Sequence, residues 1–179
     1  MILTQTSNTC VGNATANLWE QRGGEVPTPF QIKDWYIANG LMKDGKVTGT
    51  NVRRFFSLLT DHPLGAITIK EPLKNVQLVW KQSLKKFNDS PFAIWEKLRE
   101  GQFLFVIPSQ VELDENYCVL PNTGSKTKTH AVAMVEPDEK KKRIKLENSK
   151  GESYGDKGYF YIELHNLKQI VVEIWRLTF

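Results

Sequence analysis

The hydrophobic pattern of the first half of the chain predicts a series of helices. From Cys10 onward, Ala14 and Leu18 lie four positions apart and the pattern stops at Gly23-Gly24, which is typical of a short helix ended by glycine. Proline after Ser or Thr marks a helix start, because proline suits the first helical position. The predicted helices run from Cys10 to about Gln21, from Pro29 to about Asn39, from a cap at Thr50 to just before Pro63, from Val76 to Phe87, and from Pro91 to about Gly101.

The pattern changes after Gly101, where β-branched and aromatic residues gather in short runs of strand length. Phe103 to Ile107 is continuously apolar, and Arg143 to Glu147 alternates polar and apolar residues. Pro137-Asp138, followed by Lys140 to Arg143, predicts the tip of a hairpin. The other predicted strands cover residues 117–120, 130–135, 159–164 and 171–177. Helices followed by strands indicate an α+β fold, mainly helical over residues 1–100 and mainly β over residues 101–179, with a cleft between the two parts.

Composition and charge narrow the classes of function. The chain has 179 residues, 40% of them apolar, which is enough for one core or for two small lobes. Its 24 basic and 20 acidic side chains give a net charge of +4, too mild to argue for a nucleic-acid binder. No run approaches the about 18 apolar residues of a membrane helix, and the first residues lack the pattern of a secretory signal. Two cysteines make no disulfide framework, so we expect a reducing, cytoplasmic setting.

Three residues could carry chemistry. Cys10 lies at the start of a predicted helix, where unpaired N–H groups and the helix dipole favour the thiolate, the nucleophilic form of cysteine. His130 begins a predicted strand, and an imidazole beside a thiol is the base that activates cysteine enzymes. Asn148 follows the next predicted strand, so its amide could orient the imidazole. Each also has an ordinary interpretation: a small buried side chain, a hydrogen-bonded histidine and a turn former.

The remaining cysteine and histidines give no further site. His62 precedes a proline in a turn and His165 follows a strand, so both are predicted to be structural. Cys118 and Cys10 could form one disulfide by arithmetic alone. Ligand spacings such as CxxC or HxxxH are missing, so neither a metal nor another cofactor is predicted.

The segment that begins at Asn148 resembles the asparagine loop of papain-like cysteine peptidases. That family carries Asn-Ser-Trp-Gly, then two residues, Trp-Gly, two more residues, and Gly-Tyr followed by an aromatic residue. The order of cysteine, histidine and asparagine is also the family order, although His130 follows Cys10 more closely than the roughly 130–150 positions typical of the family. The matching runs are Asn148-Ser149-Lys150-Gly151, Tyr154-Gly155 and Gly158-Tyr159-Phe160 for the loop, and His130-Ala131-Val132 for the family's His-Ala-Val.

The resemblance implies a compact bacterial or phage-type member of the family. Its papain-like two-lobe fold would make residues 1–179 a single catalytic domain, with a helical lobe, a β lobe and the active-site cleft between them. It implies a peptidase that cleaves peptide bonds through a Cys10, His130 and Asn148 triad and a thioester acyl-enzyme. A protein or peptide would bind in the cleft, and neither nucleic acid nor a membrane is implied as a partner. Gln5 would supply an oxyanion donor, one position closer to the cysteine than is usual.

Departures from the family pattern leave other functions open. Val11 follows the nucleophile in place of the familiar Cys-Gly-Ser-Cys-Trp. Lys150 replaces a tryptophan that shields the histidine–asparagine contact from water in the family, and Tyr154 replaces a second tryptophan. One alternative is a weakly active or inactive protein-binding module on the same fold, and another is a thiol amidase or acyltransferase with the same triad. A nucleic-acid binder centred on Lys140 to Arg143 is least favoured, because a charged hairpin tip is usually a solvated turn.

Overall fold

The computed structural model of the chain describes residues 8–67, 73–82 and 90–179. Within these residues, helices come mainly from the first half and an antiparallel sheet mainly from the second half, so the predicted α+β class is confirmed. The helices are α1 (Cys10–Glu20), α2 (Pro29–Ala38), α3 (Val52–Asp61), α4 (Pro91–Leu98) and α5 (Leu167–Ile170). The strands are β1 (Met42–Lys43), β2 (Lys46–Val47), β3 (Asn75–Lys81), β4 (Gln102–Ser109), β5 (Ser125–Asp138), β6 (Arg143–Glu147), β7 (Tyr159–Glu163) and β8 (Glu173–Thr178).

Side-chain caps begin three of the helices. The Thr28 hydroxyl accepts a hydrogen bond from the Gln31 N–H, and the Gln31 side chain accepts one from the Thr28 N–H, which makes a capping box before Pro29. Ser90 caps α4 with its side chain, as the sequence predicted. For α3 the predicted cap, Thr50, is wrong by one residue, because the Asn51 side chain accepts from the helix N–H.

The predicted helix from Val76 to Phe87 is wrong. Residues 75–81 form β3, which pairs antiparallel with β8, and residues 83–89 lie outside the described part of the chain. Val76 and Leu78 alternate with the polar residues Asn75 and Gln77, a period of two that suits a half-buried strand, and the pairing with β8 shifts its register between Leu78 and Trp80. A short apolar segment can form a strand or a buried helix, and its local pattern does not separate the two. Here pairing with β8, which is far away in the sequence, makes residues 75–81 a strand.

The large sheet has the strand order β3-β8-β4-β5-β6-β7, and every neighbouring pair is antiparallel. β5 and β6 form the predicted hairpin, whose tip lies between Asp138 and Arg143. The predicted strand over residues 117–120 is replaced by isolated bridges, one of them between Cys118 and Tyr161. These bridges lie beside β7, so this segment covers part of the sheet edge.

Both faces of β4 are covered, which explains its uninterrupted apolar run. Leu104 and Val106 face a core that includes α1, α2 and α3. Phe103, Phe105 and Ile107 face a second core that includes α4 and α5. Since successive side chains of a strand point to opposite faces, a strand buried on both sides has no polar positions. α1 packs against β4 and β5, and this contact brings the first helix onto the sheet beside His130.

Candidate active site

Cys10 is the first residue of α1, and its sulfur lies against the backbone of β5. Backbone N–H groups of Ala131, Val11 and Cys10 lie near the sulfur and favour the thiolate. Burial acts in the opposite direction and is the larger influence, so the pKa of the Cys10 thiol is raised above its usual value. The residue as a whole is only partly exposed. The resting thiol is therefore protonated at neutral pH, and it lies next to the residue that follows His130.

Close packing of α2 fixes the first turn of α1. A Cβ at Gly12 would lie 2.8 Å from Ile32 Cγ2 and 3.1 Å from Tyr36 Cε2, so glycine is needed for this approach. The Gly12 N–H donates a hydrogen bond to the buried Tyr36 hydroxyl at 3.2 Å. Burial, with a smaller contribution from the Cys10 charge, raises the pKa of Tyr36, so this hydroxyl stays neutral beside the thiol. The packing of α2 against the first turn of α1 therefore holds the backbone at Cys10 in place.

The imidazole of His130 is held by Asn148. His130 Nε2 and Asn148 Oδ1 are 2.9 Å apart, and the two residues are 7% and 1% exposed. The Lys150 N–H also donates to Asn148 Oδ1 at 3.1 Å, which fixes which end of the amide faces the ring. Because an amide oxygen only accepts, Nε2 carries the hydrogen and Nδ1 of the neutral ring is left as an acceptor. This is the tautomer that a base needs.

Burial lowers the pKa of His130 to about 4. The contact with Asn148 raises this pKa, whereas the positive charge of Lys150 lowers it further. His130 is therefore neutral at pH 7. Together with the raised pKa of Cys10, this describes a resting pair of neutral thiol and neutral imidazole rather than an ion pair.

The loop after β6 positions Asn148 through its backbone. The Asn148 N–H donates to the Gly158 carbonyl at 2.9 Å, and Tyr154 and Gly158 are joined by a further backbone hydrogen bond. At Gly155 φ is +62°, and a Cβ there would lie 2.2 Å from the Tyr159 carbonyl oxygen. No side chain can occupy that position without moving the backbone, so the aligned glycine has a steric cause.

Lys150 lies on the surface beside the His130–Asn148 contact. Its Nζ sits 4.8 Å from the centre of the Tyr154 ring, within the range of a cation–π contact. Tyr154 in turn packs edge-on against Phe160. Partial burial lowers the pKa of Lys150, and no nearby charge of the described chain acts on this pKa. The ammonium therefore has no carboxylate partner within the described residues.

A cavity of about 210 Å³ opens beside Cys10. Val106 of β4 and Val52 of α3 line it, together with residues on both sides of His130. Glu173 is the carboxylate of this lining, and its oxygens contact Lys81 Nζ at 2.7 Å and Trp175 Nε1 at 2.9 Å. The complete lining is Cys10, Val11, Thr50, Asn51, Val52, Val106, Thr129, Ala131, Val172 and Glu173.

The predicted site residues have different outcomes in the structure. His130 and Asn148 are in contact, and Cys10 lies beside the backbone of Ala131, the residue that follows His130, while the catalytic roles of all three stay predictions. Gln5 lies outside the described residues. Sequence reasoning did not find the cavity lining, because Thr50 and Glu173 come from segments far apart in the chain and carry no shared spacing.

The other residues that were considered lie away from this site. Cys118 and Cys10 are both free thiols, so the disulfide that two cysteines allow is not formed. The carbonyl of His62 accepts from Trp35 Nε1, and the His165 ring lies 3.4 Å from Glu163, so both have structural contacts. Among the residues that the structure describes, no cluster of metal-binding side chains occurs and every helix is too short or too polar to cross a bilayer.

Solved structures with the same architecture are cysteine proteases. Xylellain from Xylella fastidiosa is 15% identical, with a TM-score of 0.61 over 99% of this chain and 82% of that chain. The bromelain protease from Ananas comosus, solved with the E64 inhibitor, is 13% identical, with a TM-score of 0.51 over 99% and 93%. The ragweed cysteine protease Amb a 11, in its proform, is 14% identical, with a TM-score of 0.59 over 99% and 63%.

At this level of identity the similarity concerns the fold. The chain has the papain-like fold, as the resemblance of the Asn148 loop predicted. No protein-family model matches the chain, and no curated protein matches it either.

Proposed function

We propose that this chain is a papain-like cysteine peptidase, with residues 1–179 as one catalytic domain. The observation that carries the proposal is the contact between His130 Nε2 and Asn148 Oδ1, which leaves Nδ1 free as an acceptor while the Cys10 sulfur lies against Ala131. A protein or peptide substrate would bind across this site. The protease structures with the same fold support the reaction class.

The chemistry begins from a neutral thiol. As a substrate carbonyl approaches, His130 Nδ1 takes the proton of Cys10 and the sulfur attacks the carbonyl carbon. The N–H of Cys10, which as the first residue of α1 has no partner within the helix, is suited to bind the oxyanion. Gln5 stays the predicted second donor.

The tetrahedral intermediate formed by this attack breaks down to a thioester, which is then hydrolysed. The carbon–nitrogen bond breaks, the imidazolium returns its proton to the leaving amine, and a thioester to Cys10 remains. Water attacks the thioester carbon while His130 accepts a proton from the water. The carbon–sulfur bond then breaks, the carboxylic acid leaves, and the imidazolium returns its proton to the Cys10 sulfur. Asn148 acts throughout as a positioning residue that holds the ring.

The test is covalent labelling with an epoxide or vinyl-sulfone thiol probe at neutral pH, followed by peptide mapping. Cys118→Ala is the matched control, because it removes the other free thiol. We expect the wild type and Cys118→Ala to carry the probe at Cys10 and to cleave a denatured protein substrate, whereas Cys10→Ala does neither. Labelling at Cys118, or no labelling at all, would reject the assignment of the nucleophile.

A second candidate function is a binding module with weak or no catalysis. The raised pKa of Cys10 and the lowered pKa of His130 favour it, because both disfavour the reactive ion pair. The two candidates differ in turnover: a binding module retains peptide affinity in both Cys10→Ala and the wild type but cleaves with neither.

A cytoplasmic location also stays a proposal. It is supported by the two free thiols, since a nucleophilic cysteine must remain reduced to act.

A further inference from the structure

Lys150 forms no ion pair with the residues that the structure describes, and two contacts hold it in place. Its backbone N–H is bonded to Asn148 Oδ1, and its Nζ rests 4.8 Å from the Tyr154 ring. None of the salt bridges among the described residues includes its ammonium. The positive charge nevertheless reaches the catalytic site, since it lowers the pKa of His130. A cation that lies beside the proposed catalytic histidine, with no ion pair to a carboxylate of the described residues, is available to a ligand.

The two sides of β5 at His130 differ in structure. On one side lie β4 and β8, whose residues Val106 and Glu173 line the cavity beside Cys10. We call this the cavity flank. On the other side lies β6, whose end carries Asn148 and then Lys150. We call this the lysine flank. A substrate bound across Cys10 and His130 therefore has one part at each flank.

The mechanism assigns the two parts of the substrate to the two flanks. The acyl part becomes bonded to the Cys10 sulfur, and Cys10 itself lines the cavity. The leaving amine has to lie against His130 to receive its proton, and the ring is held from the lysine flank. The leaving part thus extends toward Lys150. The carboxylate of the cavity flank, Glu173, is already paired with Lys81, so only the lysine flank offers an uncompensated charge among these groups.

We propose that Lys150 selects substrates that carry a carboxylate on the first residue of the leaving part. That carboxylate is either an acidic side chain or the free C-terminus of the substrate, and both present the same oxygen pair to the ammonium. The selection rests on the proposed peptidase function and adds a substrate class to it. Lys150 is then a specificity-determining residue, and the tryptophan that it replaces in the family pattern could not bind a carboxylate in this way.

The experiment uses four peptides with an identical acyl part. Their leaving part is glutamate amide, alanine with a free carboxylate, alanine amide or lysine amide. Each is assayed for kcat/KM with the wild type, Lys150→Gln, Lys150→Glu and the control Lys157→Gln. Lys157 is an exposed lysine of the same loop, and it does not act on the pKa of His130.

We expect the wild type and Lys157→Gln to cleave at least one carboxylate peptide about fivefold better than alanine amide, the upper range for an exposed charge pair. Lys150→Gln should remove this preference, and Lys150→Glu should transfer it to lysine amide. A preference limited to alanine with a free carboxylate identifies the C-terminus as the source, and one limited to glutamate amide identifies the side chain. Equal preferences in all four proteins would overturn the proposal.

A second measurement separates this proposal from the proposed function. In a Cys118→Ala background, Cys10 is alkylated with iodoacetate and with iodoacetamide, which differ by one negative charge. The ratio of the two alkylation rates can be measured whether or not the protein is an active peptidase. We expect Lys150→Gln to lower the ratio at least about twofold, with a smaller effect at high salt. If no peptide is cleaved by any protein, peptidase function fails; an unchanged ratio would then reject the role of Lys150 as well.

Discussion

The two supports of the site, α1 and the loop after β6, are held in place by different kinds of contact. α1 presents Cys10 through side-chain packing, since Gly12 is opposed by the side chains of Ile32 and Tyr36. The loop after β6 presents Asn148 through backbone contacts, since Gly155 is opposed by the Tyr159 carbonyl. Side chains can move by a few tenths of an ångström, whereas a hydrogen-bonded backbone resists any shift. The comparison indicates that the histidine side of the site tolerates less change than the cysteine side.

The largest effect is expected for Gly155→Ala. The new Cβ would lie 2.2 Å from the Tyr159 carbonyl oxygen at a φ of +62°, so strain and clash act together. We expect a loss of about 3 kcal/mol in the free energy of unfolding, measured by urea denaturation. Gly45→Ala is the matched control, because Gly45 has a φ of +72° with open space around it. A loss equal to that of Gly45→Ala, about 1–2 kcal/mol, would show that the clash contributes nothing.

Asn148→Ala tests the amide without disturbing the glycines of the loop. It removes the oxygen that accepts from His130 Nε2 and from the Lys150 N–H, so the ring loses its fixed orientation. We expect kcat to fall about tenfold or more, equivalent to about 1.4 kcal/mol, with a smaller change in KM. Asn148→Asp keeps an acceptor oxygen and should recover part of kcat. An unchanged kcat in Asn148→Ala would remove the positioning role.

Gly12→Ala should have a smaller effect than Gly155→Ala, because the opposing groups are side chains. The methyl would approach Ile32 Cγ2 to 2.8 Å, and overpacking of this kind costs about 1–3 kcal/mol. The better helix propensity of alanine offsets up to about 1 kcal/mol. We expect a net loss of about 1 kcal/mol by thermal or urea unfolding, with Gly49→Ala unchanged because its nearest neighbour is 3.8 Å away. A loss equal to that of Gly155→Ala would contradict the contrast between the two supports.

The smallest effect concerns the pH dependence of activity. His130 must be neutral to act as a base, so kcat/KM rises as pH increases through the pKa of His130, which burial lowers to about 4. The acid limb should therefore lie near pH 4 rather than near the about 6.5 of an exposed histidine. Lys150→Gln should move the limb upward, because the charge of Lys150 lowers this pKa. A limb near pH 6.5 in the wild type would mean that the loop does not shield the ring.

Local signals in the sequence were sufficient for most of the helices, whereas the contact of Asn148 with His130 was only possible from the residues and was implied by the family resemblance. Thr28-Pro29 and Ser90-Pro91 act within one helical turn, so their neighbours alone determine where α2 and α4 begin. His130 and Asn148 are joined by a single hairpin, so little else in the chain decides whether they meet. The glycine at position 155 of the loop follows from a steric contact inside the same loop, with the Tyr159 carbonyl.

Features that depend on distant segments could not be predicted. The sequence predicts a helix where β3 lies, because only pairing with β8, at the other end of the sequence, makes this segment a strand. The cavity beside Cys10 combines α3, β4 and β8, so no local pattern marks its lining. The sequence marks Lys150 as a departure from the family pattern, but only the structure shows that no described carboxylate forms a salt bridge with it.

The place of β8 in the sheet also sets the order in which this molecule can be assembled. β8 holds the last residues that form a strand, yet it lies inside the sheet, between β3 and β4. Contacts between segments so far apart form late and slowly, because a long stretch of chain must first be closed into a loop. Cys10 is therefore synthesised long before residues 173–178, which must pair with β3 and β4 before the sheet is complete. We expect the thiol to gain its folded surroundings only after β8 has been synthesised.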